Sequence, residues 1–157
     1  MIIRPIQPKD NPIIHKIIQT SLESFNLDIP GSAYFDPELA QLTTYYEARE
    51  NAEYWVAEKN NAILGGVGIA PFSEDGKICE LQKLYLSHSA QGQGVSRLLM
   101  DTALGFASKY YSACYLETIA KLEVACILYE KYGFELLEQP IEGSDHGAMD
   151  RWYLKQL

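Results

Sequence analysis

The sequence predicts a mixed α/β fold, because strand-like and helix-like segments alternate along the whole chain. Short runs with alternating or continuous apolar side chains are typical of strands, and longer runs repeat apolar residues every three or four positions, as amphipathic helices do. The 157 residues are enough for one well-formed core and too few for two ordinary domains. We therefore expect residues 1–157 to form a single domain.

The first part of the chain is predicted to hold one strand and two helices. Ile2 to Ile6 is strand-like, and Asp10 is suited to cap a helix in which isoleucines recur at helical spacing. Pro30 and Gly31 then mark a loop. A second helix is expected from about Pro37 to Arg49, with proline in its first turn.

Strands and helices continue to alternate through the rest of the chain. Strands are expected at about 54–58, 62–69, 78–86, 113–118, 134–137 and 149–154, and helices at about 95–110 and 122–131. Asn60 and Asn61 join the first two of these strands and suit the positive φ angles of a tight hairpin. Strand 78–86 carries apolar residues on both faces, which predicts a central position in the sheet. Gly133 is the expected stop of the last helix.

The composition predicts a soluble protein and excludes some classes of partner. The formal charge of −8 argues against sequence-independent nucleic-acid binding, which needs a basic surface to displace counterions from phosphates. No apolar run reaches about 18 residues and no leader precedes the first strand, so neither a membrane span nor a signal peptide is expected. The three cysteines lack metal-ligand spacing and are expected to be reduced and buried. These features predict a cytoplasmic protein without a metal site.

A loop that contains two glycines, Gln91 to Ser96, lies between the predicted central strand and the helix that follows it. Backbone amides at the start of a helix are unpaired and lie at the positive end of the helix dipole, so an anion suits this position. Gly92 and Gly94 would let the backbone wrap around a phosphate, although a simple tight turn is the alternative. The Walker pattern fails because no Gly-Lys-Ser/Thr follows. The dinucleotide fingerprint fails because Arg97 occupies its third glycine position.

Three features together resemble the GNAT superfamily of acetyl-CoA-dependent N-acetyltransferases over nearly the full chain. The family's loop pattern, Gln/Arg-x-x-Gly-x-Gly/Ala, is matched at Gln91 and Gly94, with Ser96 in the final position. The strand Leu84-Tyr85-Leu86 precedes this loop, as in the family. Residues 125–134, Ala-Cys-Ile-Leu-Tyr-Glu-Lys-Tyr-Gly-Phe, are similar to the family's Ala-x-x-Leu-Tyr-Glu-x-x-Gly-Phe helix. The resemblance implies a central mixed, mostly antiparallel sheet of about seven strands with helices on both faces.

The resemblance also implies how acetyl-CoA is bound as the co-substrate. The loop amides would receive its pyrophosphate, and the exposed backbone of Leu84 and Leu86 would pair with its pantetheine arm like an added strand. The implied cofactor-binding residues are Leu84, Tyr85, Leu86, Gln91, Gly92, Gln93, Gly94, Val95 and Ser96. Leu122 departs from the family pattern, because many relatives have an asparagine there that contacts the cofactor.

Glu80 and Tyr129 are the residues expected to transfer protons. An amine like that of lysine has a pKa of about 10.4, so a base must take its proton before it attacks. Glu80 lies just before the pantetheine strand, where the family often has such a base, and partial burial would raise its pKa. Tyr129 would give a proton to the departing thiolate, and Gln82 could orient a water. The alternatives are an ordinary ion pair for Glu80 and core packing for Tyr129.

The acceptor is expected to bind beside the more variable regions, about 20–50 and 138–150, outside a cofactor-binding core at about 77–135. Candidate acceptor contacts are Tyr34, His146, Phe35 and Tyr45. The predicted reaction is direct attack of a primary amine on acetyl-CoA. The net acidity favours a cationic small molecule over nucleic acid as the acceptor. A small-molecule amine is expected in preference to a protein amine, and a peptide or protein amine stays an alternative. Two other functions stay open: a non-catalytic acyl-CoA-binding or sensing module, and a nucleotide-phosphate enzyme. A homodimer is one of the open oligomeric states.

Overall fold

One seven-stranded sheet runs through the protein, in a computed structural model that describes residues 1–144 and 146–157. Its strands are β1 (Ile2–Pro5), β2 (Glu53–Lys59), β3 (Ala62–Pro71), β4 (Ile78–Leu86), β5 (Ala113–Thr118), β6 (Glu135–Leu137) and β7 (Arg151–Gln156). The order across the sheet is β1-β2-β3-β4-β5-β7-β6, and within the described residues β4 and β5 form the one parallel pair. The predicted mixed, mostly antiparallel sheet is confirmed.

Helices cover both faces of this sheet, as predicted. They are α1 (Asn11–Ser24), α2 (Leu42–Glu47), α3 (Val95–Tyr110) and α4 (Glu123–Lys131). One apolar core joins α1 and α2 to the sheet, and a second core joins α3 and α4 to it. Alternate residues of β2 belong to the two cores, Trp55 to the α3 side and Val56 to the α1 side, because successive strand residues face opposite ways.

Two predicted details of the first half are wrong. Helix α2 is shorter than the predicted 37–49, because residues 36–41 first close turns with hydrogen bonds between residues three apart. Asp10 precedes α1, but its carboxylate makes no capping bond to that helix. The Asp10 carboxylate instead forms an ion pair with Arg4 at 2.8 Å and accepts a 2.8 Å hydrogen bond from the backbone N–H of Gln7.

A β-bulge redirects β4 in the middle of the sheet. Between Gln82 and Tyr85, which are both paired with β3, the strand has two residues where β3 has one. Lys83 lies in this bulge with a φ of 51°, in the left-handed region that few residues other than glycine adopt. The hydroxyl of Tyr54 donates a 2.8 Å hydrogen bond to the carbonyl of Lys83 and so stabilises the bulge.

The central strands β4 and β5 pair only where they begin. Ile78–Glu80 pairs with Ala113–Tyr115, and no register pair joins the two strands further along the described chain. The bulge in β4 follows this paired stretch after two further residues, Leu81 and Gln82. A slot therefore opens between the carboxyl halves of β4 and β5, and helix α3 begins beside it.

Two glycines of β3 make room for tyrosines on the α1 side of the sheet. A Cβ atom at Gly68 would overlap the hydroxyl of Tyr46, and one at Gly66 would overlap the ring of Tyr54. Both rings therefore approach the strand closely, and their hydroxyls can reach β4. The Gly66-Val67-Gly68 run therefore has a packing role.

Candidate active site

A cavity of about 310 Å³ fills the slot between β4 and β5. Its walls include Leu81 and Lys83 of β4, Leu116 and Glu117 of β5, and side chains from α1 and α4. Most of the predicted functional residues line it together: Leu84, Tyr85, Leu86, Gln91, Gly92, Ser96 and Tyr129. Leu122 lines it too, so the position where many relatives have asparagine is apolar in this protein.

The loop before α3 has the backbone that its glycines predicted. Gly92 and Gly94 have φ angles of 79° and 77°, and a Cβ atom on either one would meet no atom within 4 Å. Positive φ, and not crowding, is therefore what requires glycine here. No side chain caps the start of α3, so amides of its first turn are left for a ligand.

Two predicted cofactor-binding residues of this loop turn their side chains elsewhere. Val95 is fully buried in the core on the α3 side. The amide of Gln93 donates a 2.7 Å hydrogen bond to the carbonyl of Ser89. Each of them could contact a ligand only through its backbone, which fits a site made of amides.

Tyr129 projects from α4 into the cavity wall. Its ring packs against Phe134 and Tyr153, with centroids 6.0 and 6.1 Å away, and the residue is only 6% exposed. Its hydroxyl has no hydrogen-bond partner within the described chain. Burial raises the pKa of Tyr129, so its phenol stays protonated at neutral pH and can donate. The tyrosine is both a core residue and a potential acid.

Glu80 lies one residue before the first β4 residue that lines the cavity, and it is 9% exposed. Its Oε1 accepts a 2.6 Å hydrogen bond from Nε2 of Gln82, whose own Oε1 accepts one of 2.6 Å from Tyr46. Burial raises the pKa of Glu80 to about 7, and the negative charge of Glu117 adds to this effect. Gln82 thus holds the carboxylate of Glu80 directly.

Glu117 is a second buried carboxylate at the cavity, and it is not among the predicted functional residues. Its side chain is 2% exposed, and its Oε2 accepts hydrogen bonds from the hydroxyls of Tyr115, at 2.8 Å, and Ser144. Its Oε1 is buried without a hydrogen-bond partner among residues 1–144 and 146–157. A charged residue within the otherwise apolar strand 113–118 was the signal that could have identified it.

Ion pairs connect the two variable regions, about 20–50 and 138–150, close to the Glu117 carboxylate. Oδ2 of Asp36 lies 2.7 Å from Nζ of Lys83, and Oδ1 of Asp36 lies 3.0 Å from Nε2 of His146. The same ammonium lies 3.4 Å from Glu38. Nδ1 of His146 lies 3.8 Å from Oε1 of Glu117, which is too far for a hydrogen bond. His146, itself part of the second variable region, therefore lies next to the cavity residue Glu117 but does not line the cavity.

The pKa values of this cluster reflect its pairing. Burial alone would raise the pKa of Asp36, but the hydrogen bond from His146 and the charge of Lys83 lower it below its usual value. The hydrogen bond to Asp36 raises the pKa of His146, against the effect of burial. Both shifts favour the charged forms of Asp36 and His146, and therefore the ion pair between them.

The other acceptor candidates lie away from the cavity. The hydroxyl of Tyr34 donates to Glu23 at 3.2 Å, and Phe35 is 60% exposed. The ring of Tyr45 lies 3.6 Å from the guanidinium carbon of Arg49. None of these three aromatic residues lines the cavity in the described part of the chain.

No group of three or more His, Cys, Asp or Glu side chains that could hold a metal is found in residues 1–144 and 146–157. No helix in the same ranges is long and apolar enough to cross a membrane.

Comparisons with known proteins agree with this geometry. The acetyltransferase (GNAT) domain family matches residues 50–136. The chain is 33% identical to the uncharacterized N-acetyltransferase YjgM of Escherichia coli K12, over 99% of this chain and 95% of that protein. A GNAT-family acetyltransferase structure from Staphylococcus aureus Mu50 superposes with a TM-score of 0.84, at 19% identity over 99% of this chain and 98% of that one. The structure of Salmonella typhimurium yncA with its cofactor acetyl-CoA superposes with a TM-score of 0.78, at 18% identity, covering 100% and 94%.

The domain match spans β2 to β6, and therefore includes the glycine loop, the slot and the helix of Tyr129. The relative from Escherichia coli extends the similarity to nearly the whole chain. This protein therefore belongs to the GNAT family of acetyl-CoA-dependent N-acetyltransferases.

Proposed function

We propose that the protein transfers the acetyl group of acetyl-CoA directly to a primary amine, with Glu80 as the base and Tyr129 as the acid. One observation carries this proposal: a single cavity is lined by the glycine loop, by the unpaired half of β4 and by Tyr129. Donor binding and leaving-group protonation are thereby brought to one place. A cytoplasmic location and a small-molecule acceptor belong to the same proposal.

Acetyl-CoA would enter the slot between β4 and β5. Its pyrophosphate would contact the amides at the start of α3, and its pantetheine arm would pair with the backbone of Leu84 and Leu86 as an added strand. The acetyl carbonyl would then lie near the bulge, where the Leu84 amide is our candidate to stabilise the oxyanion. The acetyl-CoA complex of the Salmonella typhimurium relative supports the choice of donor.

The acceptor must lose a proton to become a nucleophile. With a pKa of about 10.4, fewer than about one amine in a thousand is free at pH 7, a handicap of roughly 4 to 5 kcal/mol. A base whose pKa lies near the working pH is the most efficient, and burial brings the pKa of Glu80 to about 7. The first proton would pass from the ammonium nitrogen to Glu80 before the nitrogen attacks. The second proton, which the nitrogen loses as the amide forms, would replace the one that Tyr129 gives to the thiolate.

The tetrahedral intermediate then expels the CoA thiolate. Tyr129 lines the cavity with an unpaired, protonated hydroxyl, which supports its role as the donor to the departing sulfur. Its place in the core fixes the ring, so the hydroxyl is directed without a conformational change.

A thiol-release assay tests this proposal. The protein would be incubated with acetyl-CoA and a panel of primary amines, and each acetylated product would be identified by mass spectrometry. Release of CoA that depends on both enzyme and amine is expected. Tight binding of acetyl-CoA with no product from any amine would instead support the non-catalytic acyl-CoA-binding module.

A further inference from the structure

The free oxygen of Glu117 is an unusual feature of this cavity. Of the two carboxylate oxygens, Oε2 is held by Tyr115 and Ser144, whereas Oε1 has no hydrogen-bond partner in the described residues. A buried, ionised oxygen without a partner costs free energy, so a folded protein seldom keeps one without a use. Since Glu117 lines the cavity, a ligand there can supply the missing donor.

The charges around Glu117 leave it without a full counterion. Three carboxylates lie near Glu117, those of Asp36, Glu38 and Glu80. The nearby cations are Lys83 and His146. The ammonium of Lys83 is already paired with Asp36 and Glu38. His146 is hydrogen-bonded to Asp36 and only approaches Glu117, at 3.8 Å. The site therefore carries an excess of negative charge that a cationic ligand would balance.

The position of Glu117 is also suited to an acceptor. It lies two residues after Tyr115, the register partner of Glu80, so both glutamates are on the same face of the sheet. It shares the cavity wall with Leu84 and Tyr129, where the acetyl group is proposed to lie. A nitrogen bound to Glu117 would be close to both the proposed base and the proposed site of the acetyl carbonyl.

We propose that Glu117 binds the ammonium group of the acceptor, and that the protein therefore selects amines that are cationic in solution. This inference rests on the proposed acetyl transfer. One N–H of the ammonium donates to Oε1 of Glu117, and another proton passes to Glu80 before the nitrogen attacks. Glu117 acts in substrate binding, whereas Glu80 takes the proton.

Two amines of nearly the same shape provide the test. Ethylamine is cationic at neutral pH, whereas 2,2,2-trifluoroethylamine is mostly uncharged, because the fluorines lower its basicity. Each would be titrated calorimetrically into the CoA-bound protein, which cannot react because no acetyl group is present. We expect the parent to bind ethylamine at least roughly 10-fold more tightly than the fluorinated amine, as a charge-assisted hydrogen bond implies.

The variant Glu117→Gln should lose most of this preference while its affinity for CoA stays within about twofold of the parent. Glu135→Gln, a change at an exposed residue of β6, is the matched control and should keep the preference. Glu117→Asp keeps a carboxylate on a side chain that is shorter by one methylene, so we expect an intermediate preference for ethylamine over the fluorinated amine. This second variant keeps the test valid if the glutamine variant does not fold.

Three outcomes would overturn the inference: no measurable binding of ethylamine to the parent, equal binding of the two amines, or an unchanged preference in both Glu117 variants. Because the titrations use CoA and not acetyl-CoA, they do not depend on turnover. Failure of acetyl transfer is detected separately, by the absence of acetylated product in the thiol-release assay.

Discussion

Gln82 lies two residues after Glu80 on β4, and its side-chain amide donates a 2.6 Å hydrogen bond to the Glu80 carboxylate. The orientation of this amide is fixed from the other side, because its carbonyl accepts a 2.6 Å hydrogen bond from Tyr46. Tyr46 can approach so closely only because Gly68 lacks a Cβ atom. A chain of three side chains thus links helix α2 to the proposed base.

The hydroxyl of Tyr46 is predicted to adjust the pKa of Glu80. The hydrogen bond from Gln82 lowers this pKa, in opposition to burial, so freeing Gln82 should raise it. We expect Tyr46→Phe to move the acidic limb of the pH dependence of kcat/KM to higher pH. Tyr45→Phe, which changes the neighbouring ring beside Arg49, should leave the limb in place. A limb that moves to lower pH in Tyr46→Phe would contradict this account.

Glu80 itself should determine that acidic limb. A base works only when deprotonated, so kcat/KM for the amine should fall about tenfold per pH unit below a pKa of about 7 and level off above it. In Glu80→Gln the limb should disappear, and the plateau rate should drop by roughly 100-fold or more. The measurement is a pH series from about 5.5 to 8.5, below the ordinary amine pKa. If the glutamine variant retains the limb, another group is the base.

Tyr129→Phe should separate catalysis from binding. The change keeps the ring that packs against Phe134 and Tyr153 and removes only the unpaired hydroxyl. We expect kcat to fall roughly 100-fold, while the dissociation constant for acetyl-CoA stays the same. Tyr132→Phe is the control, because that hydroxyl bonds to Asp101 at 2.7 Å, outside the cavity. Normal turnover by Tyr129→Phe would remove this tyrosine from the mechanism.

Gly94→Ala should weaken acetyl-CoA binding through the backbone alone. Its φ of 77° costs a residue with a Cβ atom about 1–3 kcal/mol, although the atom itself meets nothing within 4 Å. The loop is expected to relax and to misplace its amides, raising the dissociation constant roughly 10-fold. Gly105→Ala, in the middle of α3 and equally free of contacts, should leave this constant unchanged. Equal affinities in the two variants would show that the amides of this loop do not hold the cofactor.

The features that could be predicted from the sequence are those with a local cause. Helix α3 and strand β5 begin and end where their apolar periodicity does, and Asn60 and Asn61 have φ angles of 52° and 63°, as their hairpin requires. The glycine loop was likewise identified from its own residues and from the segments on either side of it.

Features that depend on distant contacts could not be predicted in this way. The bulge at Lys83 requires the hydroxyl of Tyr54, which is 29 residues away in sequence. The sequence marks Glu117 only as a charged residue in a mostly apolar strand. Its proposed role depends on Tyr115 and Ser144, whose hydroxyls bond to one of its oxygens and leave the other free. The predicted start of α2 at about Pro37 was wrong, because turn hydrogen bonds over residues 36–41 compete with a helix there.

The bulge in β4 divides the protein into two parts that we expect to differ in their tolerance of amino-acid replacements. The donor half depends on backbone geometry, namely one inserted residue and two glycines with positive φ, and this geometry tolerates few replacements. The proposed acceptor half depends on side chains carried by loops around Asp36 and His146, and we expect these to be exchangeable without refolding the sheet. A library that varies only those loop residues should therefore yield enzymes with new amine preferences that still use the same donor, which makes this fold a practical starting point for engineering.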